Sequence, residues 1–249
     1  MLLGAAMKIP RSTALKINYV LDQLLPPFIR DNRFLMSIPM RALFGKDTDQ
    51  INAFKDSAFH MTEDEYGDFY RRTVAHWELQ GETDLNQRCV DAIVESVVGE
   101  KVLEVGCGRG YLAGILAEKW SVCAVDIVIP PELPARKPRV RFEQASIEHL
   151  PFADGEFDTV VCTHTLEHVQ RLDRAIAELR RVAGRRLIVV VPRQRPYRYT
   201  FNLHLHFFPY KWALESWFGH RPGAVIRDLG DWLYVEDAGA VQVPPAAGG

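Results

Sequence analysis

Val102-Leu103-Glu104-Val105-Gly106-Cys107-Gly108-Arg109-Gly110-Tyr111-Leu112 is an apolar run that passes through three alternate glycines into a second apolar segment. The part before the glycines, Lys101–Val105, has the length and content of a buried parallel strand. The part after them, Tyr111–Lys119, has the spacing of a helix. Glycine between the two lets the backbone turn sharply and lie close against a ligand, because no Cβ intervenes. The helix start that follows offers free amides suited to a carboxylate or phosphate. A glycine pattern alone is weak, and its weight comes from the strand before it and the helix after it.

Working outward, the next strand, Val122–Val125, ends on Asp126. That carboxylate lies about twenty residues past the glycine loop, where a ribose-binding acid is expected. It can accept hydrogen bonds from both ribose hydroxyls and would repel a phosphate there. The competing reading is a capping or surface Asp. Further strands are predicted at Val140–Gln144, Phe157–Cys162 and Arg186–Val191, the last closed by Pro192. Helices are predicted from Leu166 to Val182 and over Lys211–Phe218. Val225–Asp228 and Trp232–Val235 flank Gly230 and read as a closing antiparallel hairpin.

The fold class is therefore α/β: a Rossmann-like, doubly wound sheet of about seven strands, mostly parallel with an antiparallel closing hairpin. This core is expected over residues 99–238, with an insertion at 193–220 and an Ala, Gly and Pro tail, 239–249, predicted to be disordered. Residues 1–98 read as a helical cap. There, Leu21, Leu24, Leu25 and Phe28 recur at helical spacing until Pro26-Pro27 breaks the pattern. Thr62-Glu63-Asp64-Glu65 looks like a helix start, ahead of Tyr66, Phe69, Tyr70 and Trp77, and a further helix is predicted over Asn86–Val98.

Composition bounds the rest. The 249 residues are 47% apolar and 25% charged, with a formal net charge of −2. That balance gives no drive toward nucleic acid, and none is expected as a partner. No stretch approaches the roughly 20 apolar residues needed to span a bilayer. Met1–Ala6 is too short for a signal-peptide core, so a soluble cytoplasmic protein is expected. Cys89, Cys107, Cys123 and Cys162 form no Cys-x-x-Cys pair, which argues against a disulfide scaffold and a zinc site. No metal is expected.

A nicotinamide dehydrogenase and an adenosylmethionine enzyme compete for the glycine loop. The dinucleotide fingerprint wants Gly-x-Gly-x-x-Gly, but its last position here is Tyr111. With an acid ahead of Gly-x-Gly-x-Gly, the chain resembles the class I S-adenosylmethionine-dependent methyltransferase superfamily, particularly its small-molecule branch. The resemblance runs from Lys101 to Val191. It includes Leu150-Pro151-Phe152-Ala153-Asp154-Gly155-Glu156-Phe157-Asp158 and Thr165-Leu166-Glu167-His168-Val169. It implies S-adenosyl-L-methionine as cofactor. Gly106, Cys107, Gly108 and Gly110 would hold its methionyl part, Glu104 would organise it near the ammonium, and Asp126 would hold the ribose, with Ile127 on the adenine. Thr163, at the end of strand four, joins this set. Family members commonly place an Asp where this chain has Ser146, so adenine recognition is expected to rest on Ser146, Ile147, the backbone of Glu148 and apolar packing.

The acceptor crevice of such a sheet lies beyond the carboxyl ends of its strands. Here that rim is Cys162-Thr163-His164-Thr165 and Pro192-Arg193-Gln194-Arg195. His164 is the best-placed candidate base, against the alternative of a histidine bonded to neighbouring backbone. His168 reads as structural. Arg193, Arg195 and Arg198 beside aromatics, with His204 and His206 alternating on an extended segment, suggest a wall for an anionic or hydroxylated acceptor. Tyr66 and Tyr70 resemble the aromatic cap that many family members close over the cofactor.

The expected reaction is methyl transfer to an O or N atom of a small polar metabolite, natural-product or sugar-like. RNA or a protein side chain is the second enzymatic reading, and the negative charge counts against RNA. A non-catalytic adenosylmethionine-binding module that regulates a partner is the reading from another class. The oligomeric state is left open.

Overall fold

In the computed structural model, which describes residues 20, 24–45, 48–74, 83–199 and 203–239, the chain divides into two units. The first takes the described residues of 1–81 together with 194–205, and the second takes 82–193 and 206–249. The sequence placed this boundary at 98. The difference arises because the helix Gln87–Ser96 buries Cys89, Val90, Ala92 and Ile93 in the same apolar cluster as the strand residues Val102, Val122 and Ile188. Leu21, Trp77 and the tail from 240 lie outside the described residues.

The first unit is helical. Pro27–Arg30 (α1) carries Pro27 at its start, so Pro26-Pro27 opens a helix where the sequence expected one to stop. A proline at the first helical position lacks only an amide that would have had no partner in the helix. Asn32 caps Arg33–Phe44 (α2) by accepting from the Phe34 and Leu35 amides. Thr48–Ser57 (α3) and Glu63–Val74 (α4) follow. The predicted start of α4 is a reciprocal capping box: the Thr62 amide donates to Glu65 Oε2 at 2.9 Å, and the Glu65 amide donates to Thr62 Oγ1 at 3.3 Å. Phe54 stacks on Phe69 at 4.7 Å and meets Tyr66 at 5.9 Å, which makes an aromatic core for this unit. The segment after Arg193 is tied to it, with Arg30 donating to the Pro196 carbonyl at 2.7 Å.

The second unit begins with Gln87–Ser96 (α5) and the strand Lys101–Val105 (β1). Tyr111–Leu116 (α6), Ser121–Asp126 (β2), Leu133–Arg136 (α7), Val140–Gln144 (β3) and Phe157–Thr163 (β4) come next. Leu172–Val182 (α8), Ala183–Val191 (β5), Lys211–Phe218 (α9), Val225–Asp228 (β6) and Trp232–Asp237 (β7) complete it. The sheet order is β3-β2-β1-β4-β5-β7-β6, with β1 to β5 parallel and β7 and β6 antiparallel at one end. This is the doubly wound sheet with a closing hairpin that the apolar runs predicted.

Alternate residues of each central strand serve opposite layers, as the pleat requires. Leu103, Val105, Cys123 and Val125 join the cluster that α8 and α9 cover, while Val102, Val122 and Ala124 join the one that α5 and α6 cover. The predicted helix from Leu166 is split: Leu166–His168 is a single 3₁₀ turn, Val169 is extended, and α8 starts at Leu172. Buried Glu148 accepts the Arg171 amide at this break. The Leu150–Asp158 motif is pinned from α8. Arg181 donates to the Leu150 and Phe152 carbonyls and to Asp154, and Asp158 accepts the amides of Glu100 and Lys101 at the start of β1. Among the described residues no helix is long and apolar enough to cross a membrane.

Candidate functional site

The strand order reverses between β1 and β4, and the crevice at their carboxyl ends is where a doubly wound sheet binds ligands. Gly106, Gly108 and Gly110 all have positive φ, at 77°, 51° and 68°. The Gly106 and Cys107 amides donate to the Val125 carbonyl at 2.8 and 3.0 Å, which ties the loop to β2. The glycines differ in what a side chain would meet. A Cβ at Gly106 would stand 1.9 Å from Thr165 Oγ1, whereas one at Gly108 would meet nothing within 4 Å. Gly106 is thus required by packing, and Gly108 borders open space.

Asp126 Oδ2 accepts the Gly108 amide at 2.8 Å, and Oδ1 accepts the Val128 amide at 3.2 Å. Burial raises its pKa above the ordinary value, partly offset by the amides of Gly108, Val128 and Ile127. Glu104, on β1, is 2% exposed, and its Oε2 has no hydrogen-bond partner. Burial pushes its pKa up to about 8, with the Ala113 backbone opposing and the charge of Asp126 reinforcing the shift. Cys107 is buried, and burial with the two neighbouring carboxylates pushes its thiol well up, so it serves through its backbone. Two acidic side chains, Glu104 on β1 and Asp126 on β2, thus stand at the glycine loop. A ligand carrying a positive charge beside hydroxyl donors satisfies this set. The residues present thus fit the ammonium and ribose of adenosylmethionine.

Beyond β3, the Ala145 amide donates to the Asp126 carbonyl at 3.0 Å, which holds the Ser146–Ile147 loop against β2. Ser146 Oγ accepts the Glu148 amide at 3.2 Å, and Ile147 packs on the core. Ile127 is half-buried. The hydroxyl at 146 thus spends one lone pair on its own turn and keeps a second acceptor site.

Thr163 is buried at the end of β4, and the next residue, His164, has φ 49°, the only positive value among the described non-glycine residues. Such a backbone persists where the surroundings over-determine it. The His164 amide donates to the Val190 carbonyl at 2.9 Å, and the ring lies between two acids. Nδ1 is 3.6 Å from Glu167 Oε1 and Nε2 is 3.4 Å from Asp231 Oδ2. Asp231 also accepts from Asn86 Nδ2 at 3.0 Å. Burial opposes the imidazolium, but Asp231 beside Nε2, with the charges of Glu167 and Asp84, outweighs it and raises the His164 pKa to about 9. Glu167 is fully buried, with its pKa raised by burial to about 7 and His164 opposing. His164 is therefore held toward its protonated form between two acids. This does not favour the base role that the sequence suggested. The sequence missed Asp231 and Glu167 as its partners. Glu167 lies in the quoted Thr165–Val169 motif, and the signal for Asp231 was Gly230, which marks a turn just before it.

The remaining residues divide. Arg193 pairs with Asp228 of β6 at 2.7 Å, both partners half exposed. Arg195 and His204 belong to the first unit, where His204 Nδ1 lies 2.6 Å from Gln194 Oε1. His206 belongs to the second unit. Its Nε2 donates to the Val169 carbonyl at 2.9 Å and its ring meets Trp217 edge-on, with its pKa lowered by burial and only partly restored by that carbonyl. The two histidines thus have separate hydrogen-bond partners. Tyr66 and Tyr70 lie side by side on α4, ring centres 6.3 Å apart.

Comparison with known proteins gives a consistent result. Residues 103–188 match a family model described as a methyltransferase domain. The malonyl-[acyl-carrier protein] O-methyltransferase of Geobacter sulfurreducens is 40% identical over 96 residues, 35% of this chain and 36% of that protein. The ubiquinone biosynthesis O-methyltransferase of Escherichia coli is 31% identical over 153 residues, 54% of this chain and 64% of that protein. The chain thus spans 36% and 64% of the length of these two curated relatives. Among solved structures, a SAM-dependent methyltransferase of Methanosarcina mazei aligns with a TM-score of 0.48 at 18% identity, over 62% of this chain and 98% of that one.

Proposed function

We propose that this chain, which belongs to the class I S-adenosylmethionine-dependent methyltransferase superfamily, methylates an O or N atom of a small polar metabolite. The observation that carries this reading is the pair of acids, buried Glu104 and half-buried Asp126, at a glycine loop whose middle glycine borders open space. When bound, adenosylmethionine supplies a methyl group already activated by its sulfonium.

The chain's own work is to bind and align. Glu104 meets the ammonium, the amides of Gly106–Gly110 hold the methionyl part, and Asp126 accepts from the ribose. Ile127, Ser146, Ile147 and Thr163 border the adenine side. His164, held between Glu167 and Asp231, shapes the acceptor rim at the end of β4. His206, on the second unit, is assigned to acceptor selection. Arg193, on the rim after β5 and paired with Asp228 at the surface, is kept in the acceptor-binding set for a hydroxylated or anionic molecule.

The test is calorimetry of the whole chain with adenosylmethionine, its demethylated product and NAD. Binding of the first two and not the third is expected. NAD binding without adenosylmethionine binding overturns the reading, and cofactor binding without turnover on any of a panel of hydroxylated and amine metabolites favours a regulatory module.

A further inference from the structure

Helix α2 is amphipathic, but it turns an apolar face outward. Met36 and Met40, one turn apart, are 3% and 0% exposed. On the opposite side, Phe34, Leu35 and Ile38 are 76%, 42% and 64% exposed. Just before α2, Leu24 is 63% and Phe28 74% exposed, so one short segment carries five exposed large apolar side chains. A surface helix of a soluble domain usually shows charge on that side. Exposed large apolar side chains clustered in one segment mark an interaction site.

The charge around the face indicates what covers it. Arg33 and Arg41 are exposed, Arg41 one turn beyond Ile38 on the same face, and α2 contains no Asp or Glu. The bias extends along the sequence. Lys8, Arg11, Lys16, Arg30, Arg33, Arg41 and Lys46 stand against only Asp22 and Asp31, although the whole chain has a net charge of −2. A protruding aromatic and aliphatic face flanked by arginines, on a locally basic segment of an acidic chain, matches the interface of an anionic bilayer. The apolar side chains enter the acyl boundary while the arginine stems lie along it and their guanidinium groups reach the phosphates.

We propose that α1 and α2 form an interfacial membrane-docking surface that lies on anionic lipid bilayers with Phe28, Phe34, Leu35 and Ile38 inserted. No spanning segment is involved, and the inference does not depend on the catalytic reading.

The test is co-sedimentation of the whole chain with vesicles of phosphatidylcholine, alone or with about 30% phosphatidylglycerol, across a salt series. The expected result is binding to the anionic vesicles at least about tenfold tighter than to the neutral ones, weakened by salt. Arg33→Glu and Arg41→Glu should each weaken it by about fivefold or more. Phe34→Ser with Ile38→Ser should abolish it while leaving the circular dichroism spectrum and the melting temperature unchanged, because neither side chain supports the core. Absence of binding to anionic vesicles overturns the proposal, as does binding that these substitutions leave intact. A concentration-dependent dimer that the serine pair dissolves, without vesicle binding, also overturns it and assigns the face to a second copy of the chain.

Discussion

Replacing Glu104 by Gln tests the electrostatic logic of the site in a way that needs no acceptor. In the ligand-free protein the Glu104 pKa stands at about 8 against an ordinary 4.5. A carboxyl group whose folded pKa is raised favours the folded state fully below its unfolded pKa, and that support is lost as pH rises through the folded one. Linkage over this interval makes the total loss about 5 kcal/mol at full ionisation, at about 1.4 kcal/mol per pH unit. Between about pH 6 and pH 9 the part that remains to be lost is about 2–3 kcal/mol, a melting-temperature fall of about 5–10 °C for a domain of this size. Glu104→Gln should melt with a flatter pH dependence and be the more stable protein at the alkaline end. Adding adenosylmethionine reverses the sign, because an ammonium beside Glu104 lowers its pKa. Cofactor binding near neutral pH should therefore release about one proton, and affinity should rise as pH climbs toward 8. Calorimetry in two buffers of different ionisation enthalpy measures that proton directly. Asp126 is also raised by burial, so the decisive quantity is the difference between wild type and variant. If Glu104→Gln releases the same number of protons and melts with the same pH profile, Glu104 is not the buried acid that receives the ammonium.

Three other perturbations separate the roles of neighbouring residues. Asp126→Ala should weaken cofactor binding by about 1.5–3 kcal/mol, the scale of charge-assisted hydrogen bonds, since it removes the ribose acceptor and the anchor of the Gly108 amide together; unchanged affinity by calorimetry would remove both roles. Gly106→Ala should cost stability first, because its Cβ would sit 1.9 Å from Thr165 Oγ1. Gly108→Val, with no neighbour within 4 Å, should fold with only the strain of a left-handed residue, about 1–3 kcal/mol, yet lose cofactor binding; thermal melts beside titrations distinguish the two. Asp231→Asn should bring the His164 pKa down from about 9 by a unit or more, read as an NMR titration of the ring. A raised histidine pKa supports folding below about 6.5 and loses that support as pH rises through about 9, so this variant should lose more stability at neutral pH than at pH 10.

How much of this was legible in the sequence follows from the range of the interactions involved. The glycine cradle, Asp126 and the ends of β1, β3 and β6 were readable because each is set by a few consecutive residues: apolar run, turn residue, acid at a strand end. The capping box at Thr62 and Glu65 was readable for the same reason. The break before α8 was not, because its fixed point is the Glu148 carboxylate receiving the Arg171 amide from 23 positions away. Nor was the boundary between the two units, which depends on α5 burying Cys89 and Ile93 with strand residues that follow it in the chain.

His164 shows the consequence for chemistry. Its position on the rim could be read from β4 alone, and a rim histidine suggests a base. Its charge state depends on Glu167, three residues on, and on Asp231, brought back by the β6–β7 hairpin after 67 positions. The second carboxylate turns a candidate acceptor of protons into a held imidazolium, since each nitrogen now faces an acid. A charged His164 cannot also collect the acceptor's proton until it has lost its own. An acceptor whose methylation needs that proton removed early, such as an alcohol, would therefore have to release it to solvent or to a group carried by the substrate. An amine that enters neutral asks for no such step before transfer. The rate with matched alcohol and amine acceptors across neutral pH reports which case holds: a turnover that rises only above about pH 9 follows His164, and one that is flat there does not use it as a base.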